Sequence, residues 1–281
     1  MENEKRPQQA THPYQRSSVP KFKMVRQPHH TLQHSTKPAP KSRTIDPSEL
    51  GIYLDDPTIH PNVVDFDEYF VIIKDKYPKA TVHLLILPRD SNKSGQHPFT
   101  AFQDNEFLNS CKKDASKWRV HAAQMLKEAI CPNQEGNPDY DWESNILIGI
   151  HTQPSMQHLH IHIISRDLHS DCMWEKTNYT SFTTRFFVDL EDFPLSEDEK
   201  AGRLSALKNR VMSCWRCPET FTVFRSLKTH LNVEFERWKN EIAASSESLS
   251  ESTSMRILSP VGTETGRAEL SHPGDRSTHF V

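Results

Sequence analysis

Four histidines, at positions 151, 158, 160 and 162, fall within the run His-Thr-Gln-Pro-Ser-Met-Gln-His-Leu-His-Ile-His-Ile-Ile-Ser that spans residues 151 to 165. On an extended strand, residues two apart share a face and lie roughly 6.6 Å apart. His158, His160 and His162 are then expected to project together, with Leu159, Ile161 and Ile163 turned to the core. A metal is one use for such a face. Zn–N bonds of about 2.0–2.1 Å let two histidines at i and i+2 share an ion, but the outer pair, roughly 13 Å apart at Cα, converges poorly on one site. An inert face would more often carry Thr, Ser or Lys, because adjacent imidazoles repel when protonated. Phosphorus chemistry fits best. A neutral imidazole near pH 7 is a good nucleophile, and its neighbours can orient it and donate hydrogen bonds to non-bridging oxygens.

The elements that must position these rings are legible around them. Val63–Phe66 and Tyr69–Ile73 read as a hairpin, Val82–Leu87 as a third strand stopped by Pro88, and residues 90 to 103 as a polar loop. From Asn105 to Ile130, Phe107, Cys111, Trp118, Ala122, Met125 and Ala129 recur at helical spacing, which predicts one helix packed on the sheet. Ile146–His151 and His158–Ser165 read as two further strands around a Pro-Ser loop. The block is therefore α+β with an antiparallel sheet. Ser196 and Glu199 form a capping box that opens a helix carrying Leu204, Leu207 and Val211.

Of 281 residues, 35% are hydrophobic and 25% charged, with 19 Pro and only 8 Gly, which allows one sizeable core and a small module. No apolar run approaches the ~18 residues of a membrane span, so no membrane partner is expected. Five cysteines, an odd number, do not suggest a disulfide framework. Residues 1–44 hold nine basic against two acidic side chains and read as a disordered basic arm suited to a polyanion, while the Ser/Glu/Thr-rich residues 241–281 read as a second disordered tail. Between them lie a catalytic block, 45–190, and a helical linker with a metal module, 191–240.

His158-Leu-His160-Ile-His162-Ile-Ile resembles the signature of the histidine-triad (HIT) nucleotide hydrolases and transferases. Val71–Pro88, Gly149–Met156 and Ser181–Phe187 narrow the resemblance to the aprataxin branch, over roughly residues 45 to 240. That resemblance implies a HIT-like sheet and a DNA repair hydrolase. Such an enzyme removes AMP from 5′-adenylated ends of nicked or broken DNA, RNA–DNA junctions among them, through a covalent histidyl-AMP intermediate. It implies His160 as the nucleophile, His162 and Ser155 holding the phosphate oxygens, His158 orienting His160, and His151 assisting the leaving group. It further implies Asp75 on the ribose hydroxyls, His83 lining the nucleotide pocket, Lys176 meeting DNA phosphate, a nuclear location, and no catalytic metal.

Cys214-x2-Cys217-x3-Phe221-x5-Leu227-x2-His230 follows the spacing of a ββα zinc finger through three ligands and both apolar core positions. No second histidine follows at the fourth position. Glu234, one helical turn after His230, can complete a tetrahedron, which is similar to the Cys-Cys-His-Glu sites of some fungal aprataxins. With a helix beginning near Phe224, the base-reading positions are Val223, Ser226 and Thr229, whereas Arg225 and Lys228 suit phosphates. Such a finger positions a duplex without reading its sequence. Two further readings stand beside the repair hydrolase: a general HIT hydrolase of small nucleotides, and a non-catalytic nucleic-acid-binding protein built on the same block. Cys111, Cys131 and Cys172 read as structural thiols, and Ile45 and Leu50 as either core or an apolar wedge against a terminal base pair.

Overall fold

The computed structural model describes residues 46–132, 139–204, 206 and 211–257, all of them within one compact unit. A short helix, α1 (Gly51–Asp55), precedes the strands β1 (Val63–Phe66), β2 (Phe70–Lys74) and β3 (His83–Pro88). The β1–β2 turn is closed by Asp67, whose Oδ1 accepts from the amides of Tyr69 and Phe70 at 2.8 Å each. Helices α2 (Pro98–Ala101) and α3 (Asn105–Ile130) follow, then β4 (Ile146–His151), β5 (Ile161–Ser165), α4 (Lys176–Thr183) and β6 (Phe187–Asp189). The six strands pair antiparallel throughout, in the order β1-β2-β3-β5-β4-β6.

Helix α3 starts where Asp104 caps the amides of Glu106 and Phe107. It buries Leu108, Cys111, Ala115, Trp118, Ala122, Leu126 and Ile130, a stripe at three- and four-residue spacing that lies on one face of the sheet. The opposite face is covered by Leu50 and Tyr53, which pack with Val71, Ile73, Leu85 and Leu87. Both faces of β2 and β3 are thus dry, and their sequences are correspondingly near-continuous in apolar residues. Leu50 is a core residue; Ile45 lies outside the described residues.

Beyond the sheet, α5 (Glu197–Leu204) opens with Ser196, whose amide and hydroxyl both donate to Glu199. A small hairpin, β7 (Met212–Ser213) and β8 (Thr220–Phe221), leads into the long helix α6 (Phe224–Ile257), giving the ββα order expected of the finger. Phe235, Trp238 and Ile242 of α6 enter the same core as α3, and the Trp238 indole donates to the Tyr140 hydroxyl at 2.8 Å. The hairpin and the start of α6 share a second core with Tyr179 and Phe182 of α4. The finger is therefore built into the catalytic block and is not an appended bead.

Four details depart from the sequence reading. Strand β5 begins at Ile161, so His158 and His160 precede it and only His162 is a strand residue. The cause is local: the amides of Gln157 and Leu159 donate to Pro47 and Ser94 carbonyls, and those loops take the place of a neighbouring strand. The polar loop at 90–103 contains α2, with Ala101 and Phe102 fully buried. Helix α5 ends at Leu204, and Val211, expected on the same helix, lies outside any helix and is exposed, while Leu207 lies outside the described residues. Finally, α6 runs on to Ile257, through the first part of the tail read from position 241. The basic arm at 1–44 and the tail beyond residue 257 lie outside the described residues.

Candidate active site and zinc module

His162, on β5, lies between Leu85 of β3 and Gly149 of β4 in the sheet register and is the hub of the histidine cluster. Its ring centroid lies 4.5 Å from that of His151, 5.0 Å from His160 and 5.2 Å from His83. His151 ends β4 opposite Phe187, and Phe182, Phe186 and Phe187 wall it in at 4.6, 5.5 and 6.0 Å between centroids. At Gly149 the neighbouring strand approaches so closely that a Cβ would sit 2.2 Å from the Val188 carbonyl oxygen. Glycine lets β4 and β6 close up behind His151.

Burial dominates the electrostatics. Desolvation lowers His83 to about 4 and His151 to about 3. His160 is lowered as well, and His162 falls well below the usual imidazole range; in both, burial is the largest cause. The four rings are therefore neutral near pH 7, so each carries one N–H and one lone pair.

Geometry fixes which nitrogen is which. The Lys79 amide can only donate, and it donates to His83 Nδ1 at 3.2 Å. The single proton of neutral His83 is then on Nε2, which lies 2.9 Å from His162 Nδ1 and donates to it. His162 must carry its own proton on Nε2, and that N–H has no partner among the described residues. By the same logic His160 Nδ1 lies 2.8 Å from the His158 carbonyl oxygen, a pure acceptor, so Nδ1 bears the proton and Nε2 the lone pair. One ring thus offers a nucleophilic nitrogen and its neighbour an unsatisfied donor, both in a dry pocket. His151 Nε2 is a second buried nitrogen without a partner there.

Asp75 follows β2, and its Oδ1 accepts from the Tyr77 amide at 2.7 Å. Its Oδ2 lies 3.6 Å from His83 Nδ1, beyond hydrogen-bond distance. Asp75, His83 and His162 each bring one donor atom within 4.8 Å of the others. Ser155 is exposed on the loop between β4 and β5. The His158 ring packs against α1, where a Cβ on Gly51 would meet its Cε1 at 2.9 Å. The rings of His160 and His162 come together as expected although only His162 is on the strand, and His158 meets His160 through its carbonyl.

In the finger, Cys214, Cys217 and His230 bring one ligand atom each within 4.8 Å of one another, and Cys217 Sγ lies 3.2 Å from His230 Nε2. Two ligands on one tetrahedral zinc are about 3.5 Å apart, so the arrangement fits the ion. Glu219 holds the other ring nitrogen of His230 at 3.0 Å and fixes its orientation, as carboxylates behind zinc-bound histidines do. The Arg216 amide donates to Cys214 Sγ at 3.4 Å. Glu234 is 2% exposed and does not join the three; its carboxylate is ion-paired with Arg216 and Arg237. Among the residues expected on DNA phosphates, Arg225 is exposed and Lys176 opens α4. Lys228 instead donates to the Met173 carbonyl at 2.8 Å, across the seam between finger and catalytic block.

Sequence reasoning missed the Lys79 amide, Gly51 and Gly149. The amide carries no side-chain signal, and both glycines matter through approaches made only in the fold.

Residues 51–178 match the family described as scavenger mRNA decapping enzyme C-terminal binding, and residues 183–237 match the C2HE / C2H2 / C2HC zinc-binding finger. The chain is 32% identical over 201 residues to the aprataxin-like protein of Schizosaccharomyces pombe, covering 67% of this chain and 81% of that one. It is 34% identical over 190 residues to the aprataxin-like protein of Saccharomyces cerevisiae, covering 62% and 87%. The crystal structure of the aprataxin ortholog Hnt3 in complex with DNA superposes with a TM-score of 0.61 at 26% identity, over 70% of this chain and 98% of that one. With a HIT-like sheet, a histidine cluster around His162 and a Cys-Cys-His finger packed against the same core, the chain belongs to the aprataxin family.

Proposed function

We propose that the protein removes AMP from 5′-adenylated DNA ends and leaves a 5′-phosphate. The lone pair of His160 Nε2 attacks the α-phosphorus, and the bond from that phosphorus to the DNA 5′-phosphate oxygen breaks. Water then displaces histidine from the P–N intermediate and AMP departs. His158 orients the nucleophile through its carbonyl. His162 Nε2–H and Ser155 hold non-bridging oxygens, where charge accumulates in the transition state. His151 assists the leaving group, which departs as a stable phosphate anion and asks little of an acid. Asp75 accepts the ribose hydroxyls with its second oxygen, and His83 stands behind His162 at the back of the nucleotide pocket.

The observation that carries this reading is the pairing of opposite tautomers, a free lone pair on His160 beside a free N–H on His162, in a neutral, desolvated cluster. The related aprataxin ortholog Hnt3 forms a complex with DNA, which supports a DNA end as substrate. Lys176 at the start of α4 and the exposed Arg225 would meet phosphates, and a nuclear site of action accords with that role. Among the described residues, no helix is long and apolar enough to cross a membrane.

Cys214, Cys217 and His230 would hold a zinc ion that supplies folding energy to the finger. Glu234 would be the fourth ligand once its carboxylate exchanges Arg216 for the metal. The reaction itself needs no metal in this account, although Asp75, His83 and His162 are close enough to trap a cation. Turnover of a 5′-adenylated nick and of a free dinucleotide polyphosphate, each with and without excess chelator, tests the proposal. Preferential, chelator-resistant release of AMP from the nick is expected. Preference for the dinucleotide would move the chain to the general HIT hydrolases, and chelator-sensitive turnover with the finger's zinc still bound would reassign the Asp75 cluster to a metal.

A further inference from the structure

Trp174 is a large aromatic residue left 40% exposed although the backbone around it is fixed on several sides. Its own amide donates to the Asn178 side chain at 3.2 Å, within the capping box of α4. The preceding Met173 is held by its amide on the Ser170 carbonyl and by its carbonyl on Lys228 Nζ. Ser170 in turn donates to the Pro78 carbonyl, tying the segment to the turn that follows Asp75.

The indole is set in a basic, aromatic surround. Tyr77 packs against it at 5.8 Å between centroids, tilted by 59°. Lys79 Nζ lies over the indole at 5.2 Å and also donates to the Tyr77 carbonyl. Lys76 Nζ lies 5.6 Å from the Tyr77 ring but is ion-paired with Glu49, and Lys176 begins the helix two residues after Trp174. The patch runs from the Asp75 turn to the point where Lys228 of the finger docks. A buried role does not explain a tryptophan there, because a shorter side chain would leave the same backbone bonds intact.

We propose that Trp174 is a stacking platform for an unpaired nucleobase of a single strand that leaves the active site toward the finger. Every base presents a π-face, so such a platform adds affinity without reading sequence, and the surrounding lysines suit the phosphates on either side. Bases inside a duplex have no free face, so the partner is a flap or gap next to the break and not the duplex. This rests on the reading of the substrate as a DNA end and adds to it a preference for ends that carry single-stranded DNA.

The test is equilibrium binding of the full chain, by fluorescence anisotropy, to a nicked duplex and to the same duplex with a short flap, across a salt series. Trp174→Ala is expected to weaken the flapped probe by about 5- to 150-fold, the range of one base–aromatic stack. Phe at the same position should recover most of that loss. The salt slope should not change, because stacking releases no counterions. The flap-free probe should change little. If wild type binds both probes and Trp174→Ala binds the flapped one as tightly, the stacking proposal is overturned while the hydrolase reading stands. If wild type binds neither probe, the DNA reading falls and takes this proposal with it.

Discussion

The neutrality of the histidine cluster has a measurable consequence for stability. Folding holds His83 neutral down to about pH 4, whereas the unfolded chain protonates it near the ordinary 6.5. Between those limits the unfolded state binds more protons, so His83 lowers stability as pH falls and contributes nothing above the unfolded value. At pH 5 the unfolded ring is almost wholly protonated and the folded ring only about one-tenth so. Linkage then gives a loss of about 2 kcal/mol relative to pH 8 from this one group. Gln at position 83 does not titrate and so removes that dependence, whatever it costs in packing. Urea unfolding of wild type and His83→Gln, followed by tryptophan fluorescence at pH 8 and pH 5, isolates the effect as a difference of differences. The variant should gain about 2 kcal/mol relative to wild type on going to pH 5. A constant gap between the two at both pH values would refute a neutral, desolvated His83.

Two other perturbations follow from the geometry. Replacing His151 by Ala should slow release of AMP by about 10²-fold, the low end for proton-transfer groups, with DNA affinity unchanged in a direct binding titration; lost affinity with an intact chemical step would assign His151 to binding. Cys217→Ala should abolish zinc uptake and lower the melting temperature of the whole unit, because α6 shares the core of the sheet. Calorimetry that showed the main transition unmoved would make the finger an independent bead.

Much of this fold could be read along the chain because its signals are periodic and local. The recurrence from Phe107 to Ala129 marked α3, although the face it buries runs from Leu108 to Ile130 and leaves Ala129 exposed, and the near-continuous apolar runs of β2 and β3 marked the central strands. Spacing alone also singled out Cys214, Cys217 and His230, which the fold gathers into one cluster. What periodicity could not give was where the backbone hydrogen bonds of residues 157 to 160 go. Alternation of His with Leu or Ile runs on from that stretch as though it were strand, yet its amides bond to Pro47 and Ser94, which lie far off in sequence. The tautomers depend on a backbone amide at Lys79 and a carbonyl at His158, groups every residue has. Helix α2 was hidden because its four residues, with Pro98 and Ala101 buried, are too few to make a pattern. Glu234 fits a fourth ligand by spacing, but spacing says nothing of the two arginines that claim its carboxylate.

The central claim is that His160 Nε2 becomes covalently bonded to the adenylate. Acid-quenched single turnover on a 5′-adenylated nick, followed by digestion under conditions that preserve the P–N bond and mass spectrometry, addresses it directly. The account predicts a transient adenylyl group on the imidazole of His160, absent from His160→Ala, which should not turn over. Release of AMP at the wild-type rate by His160→Ala, or an adduct on any other histidine, would contradict it.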